Sequence, residues 1–143
     1  MNLHALLLQR HSAGKPVRVG LIGAGKFGSM YLSQAKHTPG IHLVAVADLA
    51  PDRAKAALVN VGWDAAKLDA TSFKDAHATG HTHITNDAFS MIAAPELDVI
   101  IDATGSPAHG IAHVLACCDA KKHIVMVNVE ADALAGPLLA RKA

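Results

Sequence analysis

Short apolar runs rich in β-branched residues recur along the chain, and each is followed by a longer segment of mixed character. "VRVGLI" (17–22) reads as a first strand. Glycines follow it, and "FGSMYLSQAKHT" (27–38) then carries a helical pattern that Pro39-Gly40 stops. "IHLVAVAD" (41–48) predicts a second strand, and Pro51 opens a second helix, "PDRAKAALVN". Residues 62–83 mix Asp, Thr, Gly and His without a sustained period, which predicts short helices and an exposed loop before a brief strand at 82–85. Beyond them come a short helix at 86–96 with Asn86 or Asp87 as its N-cap and a nearly all-apolar strand at 97–104. A helix at 106–120 with Pro107 near its start, a strand at 122–129 and a closing helical segment at 132–143 complete the order.

Five strands alternating with helices, the central ones apolar on both faces, predict a parallel sheet covered on both sides. The expected fold is therefore α/β, a doubly wound sheet of Rossmann type. Ahead of it, residues 1–16 place Leu3, Leu6 and Leu7 on a short amphipathic helix ended by Gly14 and Pro16, which reads as a docking helix. Residues 17–143 form the expected domain. A chain of 143 residues is the size of one domain, whereas dehydrogenases generally need a second for substrate. The chain thus reads as a piece of a longer protein whose substrate domain lies outside it.

Composition narrows the partners. With 51% hydrophobic and 17% charged residues the chain should pack a core, and a formal net charge of +1 gives no field able to hold nucleic acid. No apolar run nears the roughly 20 residues of a membrane span, and the first residues lack the basic region and cleavage site of a signal peptide. Cys117 and Cys118 are neighbours, neither a redox pair nor a zinc knuckle, and read as small apolar residues on a helix. A cytoplasmic protein is expected.

The chemistry centres on Gly23-Ala24-Gly25-Lys26-Phe27-Gly28, a G-x-G-x-x-G between a strand and a helix, with Asp48 20 residues after Gly28 at the end of the second strand. Gly23 permits the tight turn, Gly25 lets backbone approach a pyrophosphate, and Gly28 lets helix and strand pack closely; the helix N-terminus offers N–H groups and partial positive charge to phosphate. Asp48 would accept the adenosine ribose hydroxyls, favouring NAD, while Lys26 and Arg53 are cations that could meet a 2′-phosphate. Either NAD or NADP fits. Thr104, Gly105 and Ser106 follow the fourth strand, where ligands of open α/β sheets collect, and Glu130 and Asp132 follow the fifth as candidate catalytic groups. They read equally as a helix cap and first-turn acids. Among ten histidines, His77, His81 and His83 on a loop, and His109 and His113 one helical turn apart, have spacing that could gather a metal, but no cysteine or acid motif accompanies them and no metal is expected.

"VRVGLIGAGKFGSMYLSQAKHTPGIHLVAVADL", "DVIIDATGSP" and "HIVMVNVEADALAGPLLARKA" together resemble the N-terminal nucleotide-binding domain of homoserine dehydrogenase-like oxidoreductases. The resemblance is greatest to long bacterial members with a C-terminal SAF domain, a group that includes enzymes converting 1-deoxy-D-xylulose 5-phosphate with NADPH. It covers nearly the whole chain and rests most specifically on "VNVEADALAGPLLA". It implies pyrophosphate contacts at Gly23, Gly25 and Gly28, Asp48 at the adenosine ribose, Thr104 to Ser106 beside the nicotinamide half, and NADP as cofactor. Homoserine dehydrogenases carry Asn-Lys after the fifth strand, whereas this chain has Asn128-Val129-Glu130, which turns the expectation from homoserine toward the reductoisomerase-like branch. The implied function is hydride transfer between nicotinamide and a carbonyl or alcohol held by a second domain, with the isolated chain binding dinucleotide without turnover. A free-standing nucleotide-sensing or scaffold module is the alternative, and a homo-oligomer stays open.

Overall fold

The computed structural model describes residues 2–143. Strands β1 (Val17–Ile22), β2 (Ile41–Ala47), β3 (His83–Thr85), β4 (Val99–Asp102) and β5 (His123–Met126) form one sheet in the order β3-β2-β1-β4-β5. Every pairing is parallel. The helices are α1 (Leu3–Ser12), α2 (Lys26–Ala35), α3 (Pro51–Asn60), α4 (Phe73–Thr79), α5 (Ala88–Ala93), α6 (Pro107–Asp119) and α7 (Val129–Lys142), with a 3₁₀ turn at Ala65–Lys67.

Both faces of the sheet are buried, which is why its strands read as continuous apolar runs. On one face Val19, Leu21, Leu43, Val46 and Ile101 pack with Leu32 of α2 and Ala54 and Leu58 of α3. On the other, Ile22, Val44, Ala45, Ala47 and Ile100 meet Ala76 of α4, Met91 and Ile92 of α5 and Cys117 of α6. The register slips between Val19 and Gly20, whose partners are Leu43 and Ala45. Val44 is the extra residue, so Val44 and Ala45 both belong to the second face. The doubly wound parallel fold expected from the pattern is present.

Several boundaries differ from expectation for local reasons. Within residues 62–83, where short helices are expected, α4 takes its bounds from Ser72, which accepts a hydrogen bond from the Asp75 N–H, and from Gly80, which closes the end at φ +76. Of the two candidate caps for α5, Asp87 is the one used, accepting from the Ser90 N–H. The closing helix begins three residues early, since Asn128 caps it through the Ala131 N–H, and it runs through Pro137, whose missing N–H leaves only the carbonyl of exposed Ala133 to water. The strands at 97–104 and 122–129 are shorter than the apolar runs that predicted them. In the leading segment, whose Met1 lies outside the described residues, α1 buries none of its side chains and meets the domain where the Leu7 backbone passes Gly40.

Arg18 at the start of β1 ties to Asp98 ahead of β4 through Nε and a short Nη2 contact, and this pairing outweighs the opposing effect of burial and holds the Asp98 carboxyl below its usual range. Leu32, on the inner face of α2, is fully buried. Leu32→Ala is expected to cost about 2–5 kcal/mol of stability, read from urea unfolding followed by far-UV circular dichroism, with the fold retained.

Candidate dinucleotide site

The chain leaves β1 toward β2 and leaves β4 toward β5, so a crevice opens where the two adjacent strands end, the usual place for a ligand in an open parallel sheet. Gly23 forms the turn at φ +92, its N–H donating to the Ala47 carbonyl at 2.8 Å, while the Ala103 N–H donates to the Ile22 carbonyl at 2.8 Å. A Cβ on Gly28 would run into the Gly23 carbonyl, so α2 sits against the turn only because that side chain is missing. A Cβ on Gly25 would meet nothing within 4 Å. Gly25 caps α2 without a side-chain acceptor, leaving the first N–H groups of that ten-residue helix facing an open cradle that suits a pyrophosphate.

Asp48, only 8% exposed, is the next fixed point. Its Oδ2 accepts from the Ala24 N–H at 2.9 Å, and Oδ1 accepts from the Ala50 N–H at 2.9 Å and from Arg53 at 3.0 Å. Burial pushes the carboxyl pKa up, but the two backbone N–H groups and the guanidinium together outweigh it, and the net shift is downward. The site therefore holds a fixed anion at the end of β2, while Arg53 stays largely exposed beside it.

On the other side of the cradle, Asp102 ends β4 and is fully buried. Its Oδ1 accepts from the N–H and hydroxyl of Thr104 at 2.8 and 2.7 Å, and its Oδ2 accepts from Nδ1 of His113 at 2.8 Å. Burial raises the Asp102 pKa, yet His113 and Thr104 reverse it to a net lowering. Asn128 reaches across from the end of β5, donating to the Thr104 hydroxyl at 3.1 Å and the Ser106 carbonyl at 2.8 Å. Ser106 caps α6 and pairs through its hydroxyl with Nδ1 of His109 at 2.7 Å. The turn from Ala103 to Ser106 is thus pinned at both ends, and a Cβ on Gly105 would enter open space.

These elements enclose a cavity of about 660 Å³, within the range of small-molecule sites. Gly23, Gly25, Asp48, Arg53, Thr104, Gly105 and Ser106 line it, so the structure brings together most of the residues singled out in the sequence. Gly28 lies beneath the turn as a packing residue, and Lys26 and Phe27 stand exposed at the start of α2 outside the lining. Glu130 and Asp132 are exposed in the first turn of α7, also outside it, where the helix macrodipole favours acids. Phe89, His109 and His113 line the cavity although the sequence reading gave them no part in the dinucleotide site. The signal for His113 was an acid closing one strand followed by histidines one turn apart on the next helix. Of the histidines expected on a loop, His81 pairs with Asp69, whereas His83 opens β3 and pairs with the Ala70 carbonyl. Burial, and then the neighbouring Cys118, push the Cys117 thiol up to about 12, so it is an inert core group.

A glycine turn on a parallel sheet, a fixed acid at the end of the second strand and a cavity spanning the switch point define an NAD-binding Rossmann domain. The chain belongs to the GFO/IDH/MocA oxidoreductase family with NAD-binding Rossmann fold, whose model matches residues 17–127. It is 33% identical over 125 residues to an inositol 2-dehydrogenase of Acidothermus cellulolyticus, covering 87% of this chain and 31% of that protein. Its structure is similar to myo-inositol dehydrogenase from Lactobacillus casei in complex with NAD(H) and myo-inositol, at a TM-score of 0.58 and 24% identity over 78% of this chain and 28% of that one. It is also similar to a homoserine dehydrogenase from Thiobacillus denitrificans, at a TM-score of 0.69 and 21% identity over 90% of this chain and 27% of that one. This last likeness is one of fold, and the family shown is GFO/IDH/MocA rather than specifically the homoserine dehydrogenase-like group expected from the resemblance. The chain spans just under a third of the length of the inositol 2-dehydrogenase. Among the described residues, no helix is long and apolar enough to cross a membrane.

The three glycines separate experimentally. Gly25→Ala should unfold in urea at the parent midpoint while weakening NADH binding, whereas Gly28→Ala should lose about 1–3 kcal/mol of stability because backbone must move; equal stability of the two variants would refute the assignment. The two buried carboxylates set a second expectation. Both have folded pKa values below their unfolded ones, so their contribution is present above about pH 4 and is lost as pH falls through the folded values. Asp102→Asn should lower the urea midpoint at pH 7 and flatten its fall between about pH 5 and pH 2.

Proposed function

We propose that this chain is the cofactor-binding part of an NAD(P)-dependent oxidoreductase that moves a hydride between the nicotinamide and a hydroxyl-bearing or carbonyl carbon, with the substrate held by protein outside the chain. The observation that carries this reading is the pairing, in one cavity, of the open cradle at Gly25 with the buried carboxylate of Asp48. When bound, the dinucleotide supplies or accepts the hydride. The chain's own residues do the rest: N–H groups at the start of α2 receive the pyrophosphate, Asp48 receives ribose hydroxyls, and the Thr104–Ser106 turn stands on the nicotinamide side. The similarity to inositol 2-dehydrogenase supports a polyhydroxylated substrate oxidised at a secondary carbinol.

A second reading follows the segment 127–140, in which Asn128 both caps α7 and ties down the Thr104–Ser106 turn. It makes the intact protein a homoserine dehydrogenase-like enzyme with a SAF domain and reductoisomerase-like activity, with Val129 standing where homoserine dehydrogenases have lysine. A nucleotide sensor without catalysis would bind the same cofactor and is told apart by the absence of any substrate-dependent change in nicotinamide absorbance in the intact protein.

Titration of the chain with NADH and NADPH, followed by nicotinamide fluorescence, tests the cofactor assignment. Saturable binding is expected. Asp48→Ala should weaken NADH about tenfold or more, the worth of hydrogen bonds to a charged acceptor. It should spare NADPH, because it removes an anion and frees Arg53 for the 2′-phosphate. Absence of saturation by either up to about 1 mM, near 4 kcal/mol of affinity, would reject the reading.

A further inference from the structure

Resting on the dinucleotide-binding reading, we infer that Asn128 is a positioning residue for the nicotinamide half of the cofactor, acting through the Thr104–Ser106 turn that its buried amide holds against the cavity. Asn128 is 1% exposed and does not itself line the cavity, so it reaches a ligand only through the groups it binds. Its amide orientation follows from its partners. The Ala131 N–H can only donate, so the atom facing it at 3.1 Å is Oδ1; the Ser106 carbonyl can only accept, so the atom facing it at 2.8 Å is Nδ2. Asp102 is ionised and can only accept, so the Thr104 hydroxyl donates to its Oδ1 at 2.7 Å and accepts from Nδ2 of Asn128 at 3.1 Å. Every hydrogen in the run from Asn128 through Thr104 to Asp102 has one place.

The two halves of this amide do separate work. Capping α7 needs only the acceptor, and Ser, Thr or Asp would supply one as well. The amino half is spent on the turn. It holds the start at the Thr104 hydroxyl and the end at the Ser106 carbonyl, which also accepts the Gly110 N–H at 2.9 Å. Between those points stands Gly105, exposed and with open space where a Cβ would be, so no side chain of its own fixes it. Glycine at position 110 of α6 makes room for the amide: a Cβ there would stand 2.5 Å from Nδ2 of Asn128 and 2.9 Å from the Ala131 Cβ, driving the amide off the turn. Asp48, at the end of β2, and the Thr104–Ser106 turn, beyond β4, line the cavity from opposite sides of β1. Loosening the turn therefore falls on the half of the dinucleotide that lies away from Asp48.

Calorimetric titration with NADH and with ADP-ribose, which lacks only the nicotinamide ring, tests the assignment. Asn128→Ser keeps a cap for α7 but is too short to reach the turn. It should weaken NADH about fivefold, the worth of one or two neutral hydrogen bonds, and change ADP-ribose by less than about twofold. A loss of general structure would weaken both ligands alike. Equal loss of both, or loss of neither, in a variant that keeps the parent far-UV circular dichroism overturns the inference while leaving dinucleotide binding intact; failure of the parent chain to bind NADH overturns both. If Asn128→Ser does not fold, Gly110→Ala, which displaces the amide from the α6 side, carries the same comparison and the same two outcomes. If neither variant folds, the side-chain amide resonances of Asn128 in the parent chain decide. A shift on adding NADH that ADP-ribose does not produce supports the role, and shifts that are equal for the two ligands or absent from both overturn it.

Discussion

The approach of α2 to the end of β1 governs the carboxyl edge of the sheet. The Gly23 carbonyl meets the helix with no side chain between them, because residue 28 is glycine. From that contact follow the direction of α2, the placement of its free N–H groups above the switch point, and the position of the Ala24 N–H that fixes Asp48. A methyl group at position 28 would displace the helix, and the distance from cradle to carboxylate would change with it. The dinucleotide site is a property of backbone packing first and of side-chain chemistry second.

Two buried acids then divide the crevice. Asp48 and Asp102 end neighbouring positions of the sheet, one strand apart on either side of β1, and each is kept ionised by donors that the fold supplies. Their partners differ in kind. Asp48 is held by two backbone N–H groups and an exposed arginine, so it presents a fixed charge to the cavity. Asp102 is spent internally on Thr104 and His113, so it orients other groups rather than meeting a ligand itself.

Much of this was legible in the chain. The parallel sheet showed as apolar runs because both faces are buried, and the turn, its three glycines and Asp48 showed because their spacing is set by one local backbone path. On the β4 side the Thr104–Ser106 turn was legible but the bonds that hold it were not, because its partners are joined only in space: Asn128 reaches Thr104 from 24 residues away and His113 reaches Asp102 from 11. Helix α4 was legible only as one of the unplaced short helices expected within residues 62–83, for another reason. Its cap, Ser72 with Asp75, and its Gly80 stop were present in the sequence, but a helix of seven residues is too short to show a period.

The same logic explains why His113 is buried at all. A histidine on the inner face of α6 would cost stability if unpaired, since a polar ring would be taken from water without compensation. Asp102 removes that cost at Nδ1, and the ring lines the cavity. A residue chosen only for packing at this place, between Phe89 and the end of β4, would be apolar like its neighbours Val114 and Cys117. What the polar pair adds beyond packing is a directed lone pair at one point of the cavity wall, held by an acid that carries its charge at neutral pH. That point lies on the side of the cradle away from Asp48.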